Sequence, residues 1–121
     1  MLDRIIEKTS EYIDSMPKKE RKKYGQFFTS IETARYMADL FVIPEKEKIS
    51  ILDAGAGSGI LTCALVERLN TIEGIKEIDI TCYETDINVL PLLQENLAYI
   101  QNESEKAISV QIVQDNYITS Q

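Results

Sequence analysis

Residues 49–59 read Ile-Ser-Ile-Leu-Asp-Ala-Gly-Ala-Gly-Ser-Gly, and no other stretch restricts the fold as tightly. Of the five glycines in the chain, Gly55, Gly57 and Gly59 crowd into this window. Ile49, Ile51 and Leu52 make an apolar, partly β-branched run that predicts a buried strand over 49–53. The run ends on Asp53, then turns through the glycines into an apolar-periodic helix over about 59–70, with Leu61, Leu65 and Leu69 at four-residue spacing. Strand, tight turn and helix in that order begin a βαβ unit. Glycines in such a turn let the backbone approach a ligand closely.

The ligand is constrained by charge and spacing. A dinucleotide loop wants Gly-x-Gly-x-x-Gly, with pyrophosphate against the helix N-terminus. Here the third glycine comes one residue early, and Ile60 stands in its expected place. Asp53 also sets a negative charge just before the loop, where a pyrophosphate would be repelled. No Gly-x-x-x-x-Gly-Lys-Ser/Thr run is present, which removes a nucleoside-triphosphate loop. A cationic, phosphate-free nucleoside suits the site better. S-adenosylmethionine (SAM), with a sulfonium, an ammonium, a ribose and an adenine, meets that description.

The remaining elements extend the alternation. Leu2, Ile5, Ile6, Thr9 and Ile13 share one face of an amphipathic helix over 2–13. Pro17 and the basic run Lys18, Lys19, Arg21, Lys22 and Lys23 read as a linker, so residues 1–24 form an N-terminal helix and basic linker ahead of a domain over 25–121. Gly25 to Phe28 read as a loop. Residues 29–32 have capping-box spacing at the start of a helix whose stripe is Ala34, Met37, Ala38 and Phe41, closed by Pro44. A second strand is expected over about 78–84. A helix follows over about 88–101, with Pro91 tolerated in its first turn and Leu90, Leu93, Leu97 and Ile100 facing inward. A third strand is expected over about 108–114. Strands alternating with helices predict a parallel sheet.

Composition excludes several chemistries. The chain has no histidine, and Cys63 and Cys82 lack metal-ligand spacing, so a zinc site or a Ser-His-Asp triad has no parts. Both cysteines read as reduced core thiols. Net charge is −7, with residues 1–30 at +2 and the rest at −9, a poor balance for a stand-alone nucleic-acid binder. No apolar stretch approaches the ~20 residues of a membrane span. The N-terminus has no signal-peptide pattern, and the expected location is cytoplasmic, with no membrane partner.

In order, the signals are Gly25, Gln26, Phe27, Phe28 and Thr29; the loop from Asp53 and Ala54 to Gly59; Glu84, Thr85 and Asp86; then Asp115 and Asn116. This resembles the N-terminal half of a class I SAM-dependent methyltransferase over about residues 22–117. It is most similar to the adenine-specific (N6) DNA methyltransferases of type II restriction–modification systems. The upstream Gly-Gln-Phe-Phe-Thr element narrows the resemblance to adenine amino methylation.

The resemblance implies a partial Rossmann-like α/β fold with about three parallel strands. It implies that Glu84 accepts the ribose hydroxyls and that Asp115, with Asn116 beside it, meets the adenine amino group. Asp53 and the loop backbone would hold the methionine ammonium, and Thr29 with its neighbouring backbone the carboxylate. Phe27 or Phe28 would flank the cofactor, and Ile87, beside Asp86, would face the adenine ring.

The family's Asn/Asp-Pro-Pro-Tyr/Phe motif, which binds the flipped base and favours a nucleophilic amino nitrogen, is not in these residues, and no catalytic residue is assigned. The expectation is a shortened product of a longer enzyme whose remainder supplies that motif and the double-stranded DNA surface, with a nuclease domain or subunit as companion. A homodimer across an exposed strand edge is a further expectation. A ribosomal-RNA adenine dimethyltransferase and a non-catalytic SAM-binding module are the alternatives; the former also opens with Gly-Gln-x-Phe. A nicotinamide-dependent dehydrogenase is weakened by glycine spacing and by the 29 residues from Gly55 to Glu84, against about 20 in that fold.

Overall fold

A computed structural model describes residues 1–25 and 28–115. The elements run α1 (Leu2–Asp14), α2 (Lys18–Gly25), α3 (Ile31–Leu40), β1 (Lys48–Ala54), α4 (Ile60–Asn70), β2 (Glu77–Tyr83), α5 (Leu90–Glu103) and β3 (Ala107–Val113). The three strands pair in parallel in the order β1-β2-β3, giving the partial Rossmann-like sheet expected from the alternation.

One face of the sheet is apolar. Ile49 and Ile51 of β1, Ile78, Ile80 and Cys82 of β2, and Ile108 of β3 join a single core with side chains of α1, α3, α4 and α5. Leu93, Leu97 and Ile100 bring α5 into that core, and Leu2 and Ile5 do the same for α1. Burying such a side chain stabilises the fold by about 1.5–3 kcal/mol. Pro91 sits in the first turn of α5, where its missing N–H has no helical partner to lose.

The opposite face carries Ser50, Leu52, Asp79, Thr81, Ser109 and Gln111 in paired register. Asp79 accepts from the Ser109 hydroxyl across the strands and lies 3.2 Å from Lys48 Nζ. Those partners hold its carboxyl below the usual range. Wholly parallel sheets are generally covered on both faces. Polar rungs on β2 and β3 keep this face compatible with water, whereas Leu52 on β1 is 52% exposed.

Three local readings are corrected. The basic run is a helix, α2, because Lys, Arg and Glu are strong helix formers, and the Pro17 carbonyl accepts the amides of Glu20 and Arg21. Ser30, one residue later than the capping-box start, caps α3: its Oγ accepts from the Thr33 amide at 3.2 Å. Within the α3 stripe only Ala34 and Ala38 are buried; Met37 and Phe41 are exposed. Ala34 and Ala38 take the face of α3 that packs into the core with α4, and Phe41 is the cap residue beyond the helix, its backbone already extended. Arg68 of α4 fixes this approach by donating to the Ala38 and Phe41 carbonyls, both at 2.6 Å.

Candidate functional site

The register pairs Asp53 with Cys82 and Ala54 with Tyr83, so β1 and β2 end side by side. Asp53 therefore stands beside Glu84, the residue that follows β2. The connection into α4 is built from glycines with φ of +88° at Gly55, +58° at Gly57 and +90° at Gly59. That backbone is strained for any residue with a Cβ. At Gly59 an added Cβ would also lie 3.3 Å from Leu93 Cδ1, so α5 leaves no slack there.

The loop spends its amides on the protein itself. Gly55 and Ala56 both donate to the Tyr83 carbonyl, at 2.8 and 3.0 Å, and Gly59 donates to the Ala56 carbonyl at 2.9 Å. Gly57 donates to Glu84 Oε1 at 2.6 Å. Glu84 Oε2 accepts the amides of Thr85 and Asp86 at 3.1 and 3.0 Å. A phosphate cradle needs amides aimed at the ligand. Here four of them are already engaged.

These elements enclose a cleft of about 510 Å³, within the usual ~300–1,000 Å³ of small-molecule sites. It is lined by Phe28, Thr29, Asp53, Gly55, Ala56, Gly57, Ser58, Ile60, Leu61, Glu84, Asp86 and Val89. Three carboxylates and no Lys or Arg stand among those residues. Asp53 Oδ2 accepts from the Thr62 hydroxyl at 2.6 Å. Burial pushes the Asp53 carboxyl above its ordinary value; the Thr62 hydrogen bond opposes the rise, and the negative charge of Glu84 adds to it. The cleft is anionic, and Asp53 is largely buried within it. It suits a positively charged guest.

Of the residues singled out from sequence, Thr29, Asp53, Gly55, Gly57, Glu84 and Asp86 meet at this cleft. Phe28 joins them, its ring close enough to Gly57 to touch a Cβ placed there. Ala54, Gly59, Thr85 and Ile87 belong to the flanking backbone but not to the lining, and Ile87 is exposed. Gly25 ends α2. Asp115 lies past the end of β3, outside the lining. Gln26, Phe27 and Asn116 lie outside the described residues.

Sequence reasoning missed Thr62 and the apolar wall of Ile60, Leu61 and Val89. Thr62 sits amid the apolar residues of α4, and only its nine-residue distance from the Asp53 strand end hinted that one helical turn would bring them together. Among the described residues no cluster of metal-ligating side chains occurs, and no helix is long and apolar enough to cross a membrane.

The profile of the N-6 DNA methylase family matches residues 5–120. The type II methyltransferase M.BsuBI of Bacillus subtilis is 38% identical over 100 residues, covering 83% of this chain and 19% of that protein. The type II methyltransferase M.PstI of Providencia stuartii is 40% identical over 97 residues, covering 78% of this chain and 18% of its own length. The chain thus spans about a fifth of the curated relatives it matches. No solved structure matches it significantly.

Proposed function

The chain belongs to the N-6 DNA methylase family, and from that premise we propose that it is the SAM-binding part of a site-specific DNA adenine-N6 methyltransferase. One observation carries the reading: the glycine loop satisfies its own amides while Asp53 and Glu84 line the cleft above it. A pyrophosphate would find carboxylates where it needs donors. A sulfonium and an ammonium would find counter-charges.

On this reading Asp53 holds the ammonium, with Thr62 keeping the carboxylate oriented, and Thr29 meets the methionine carboxylate. Glu84 takes the ribose, using lone pairs that its three amide bonds leave over. Asp86 borders the adenine with the exposed Ile87 beside it, Phe28 covers the loop, and Asp115, beyond the cleft lining, is assigned to the adenine amino group. When bound, SAM supplies an electrophilic methyl group. Family membership favours DNA over ribosomal RNA as the methylated polymer.

Transfer to a flipped adenine belongs to the whole protein, since the residues in hand contain no Pro-Pro pair. The remainder of the domain would join at the β1 edge and supply the DNA surface, with a nuclease as companion. Incubating the full-length protein with labelled SAM and duplex DNA, then analysing the nucleosides, tests this. N6-methyladenine is the expected product, and the 121-residue chain alone is expected to make none. Label found in cytosine, or in RNA in preference to DNA, would refute the substrate assignment.

A further inference from the structure

We propose that α1 positions the glycine loop, acting through a buried hydrogen-bond chain that joins Thr9, Ser58 and Asn96. Its effect on ligand affinity rests on the SAM reading above; its effect on the loop does not.

Thr9, Ser58 and Asn96 are 3%, 1% and 2% exposed, and with Thr62 they are the buried polar side chains among the described residues. Thr9 Oγ1 lies 2.7 Å from the Ile5 carbonyl and 2.8 Å from Ser58 Oγ. A threonine hydroxyl has one proton. If Thr9 gives that proton to Ile5, the Ser58 hydroxyl completes the chain by donating to Thr9. Asn96 Nδ2 donates to the Ser58 carbonyl at 2.8 Å. Ser58 is thus gripped at its side chain by α1 and at its backbone by α5.

Its neighbours explain why that grip matters. Gly57 and Gly59 flank it, both at positive φ, and glycine is the residue least able to hold its own backbone in place. Gly57 carries the amide bonded to Glu84, and Ser58 itself lines the cleft. Holding Ser58 fixes the orientation of both glycine peptides before a ligand arrives, which lowers the ordering cost of binding. The brace is itself anchored to α5: Lys8 Nζ lies 3.8 Å from Glu95, and the Arg4 guanidinium lies 5.4 Å from the centre of the Tyr99 ring. A helix 49 residues upstream of Ser58 therefore belongs to the site. Thr9 lies outside the cleft lining and is a positioning residue.

The test compares Thr9→Val, which keeps the shape and removes the hydroxyl, with Thr9→Ser, which keeps the hydroxyl. Amide hydrogen exchange read by NMR on the ligand-free chain is expected to accelerate roughly tenfold at Gly57 and Gly59 in Thr9→Val, with Ile78 and Ile80 of β2 unchanged. SAM affinity is expected to fall by a similar factor, and Thr9→Ser is expected to restore both. Folded Thr9→Val with parental exchange at both glycines would overturn the proposal, as would acceleration spread evenly through β2. If Thr9→Val does not fold, Thr9→Ala takes its place; failure of both beside a folded Thr9→Ser makes the hydroxyl a core requirement and contradicts a positioning role. A parent that binds no SAM defeats the proposed function alone, because exchange at the two glycines still decides this one.

Discussion

The Glu84 carboxylate reaches from the end of β2 to the Gly57 amide, 2.6 Å away, and so stitches the loop after β1 to the neighbouring strand. One acid thereby has two tasks, shaping the loop and facing the ligand. Glu84→Ala is expected to weaken SAM binding by ~1.5–3 kcal/mol, the range for hydrogen bonds to a charged group. It should also speed exchange of the Gly57 amide. Calorimetry and NMR on the folded variant check the two effects, and parental affinity would remove Glu84 from the site.

Asp53 carries a cost in stability that its pH dependence exposes. Folding raises its pKa, chiefly through burial, so the native state holds the proton more tightly than the unfolded chain. The ionised form therefore opposes folding, fully above the folded pKa and not at all below the unfolded one. Asp53→Asn keeps an acceptor for the Thr62 hydroxyl and removes the charge. Its melting temperature is expected to match the parent's below about pH 4 and to exceed it increasingly as pH rises through the folded pKa. SAM binding should weaken in the same variant. A melting temperature below the parent's at neutral pH would show that ionised Asp53 supports the fold.

Cys63 and Cys82 are free and fully buried, and burial pushes the pKa of each thiol up to about 12. Thiolate is the reactive form. A thiol-specific disulfide reagent at mildly alkaline pH should leave both untouched in the native chain and modify both in denaturant. Rapid native labelling of either would contradict their place in the core.

Leu52 and Val42, 52% and 93% exposed, lie with exposed Phe41 beside the β1 edge, which no strand among the described residues pairs. An open strand edge next to apolar side chains favours association. Sedimentation is expected to show concentration-dependent dimers of the isolated chain, and Leu52→Lys should reduce them with less than ~0.5 kcal/mol change in stability. A strictly monomeric chain at high concentration would count against the edge as a contact surface.

Much of this architecture was legible because its signals are local. β-branched runs marked the strands, the spacing of Leu90, Leu93, Leu97 and Ile100 marked the inner face of α5, and the crowded glycines marked the turn. What escaped depends on the fold itself. Met37 and Phe41 look like core at helical spacing, yet Ala34 and Ala38 take the buried face and Phe41 falls beyond the helix end. Thr62 reads as a polar residue between apolar neighbours in α4 until Asp53 is seen beside it. Nothing in the order of residues hinted that Thr9 would meet Ser58, or that Glu84 would accept three backbone amides. The basic run was misread because Pro17 suggested a break, although proline just ahead of a helix is equally compatible with a start.

Calorimetric titration of SAM into the folded 121-residue chain, with NAD as the comparison ligand, tests the central claim most directly. The expected result is one-to-one binding of SAM, weakened at least about tenfold by Asp53→Asn, and no heat with NAD. A folded chain that binds NAD, or that takes up no SAM at all, would contradict the assignment of the acid-lined glycine loop to a cationic nucleoside.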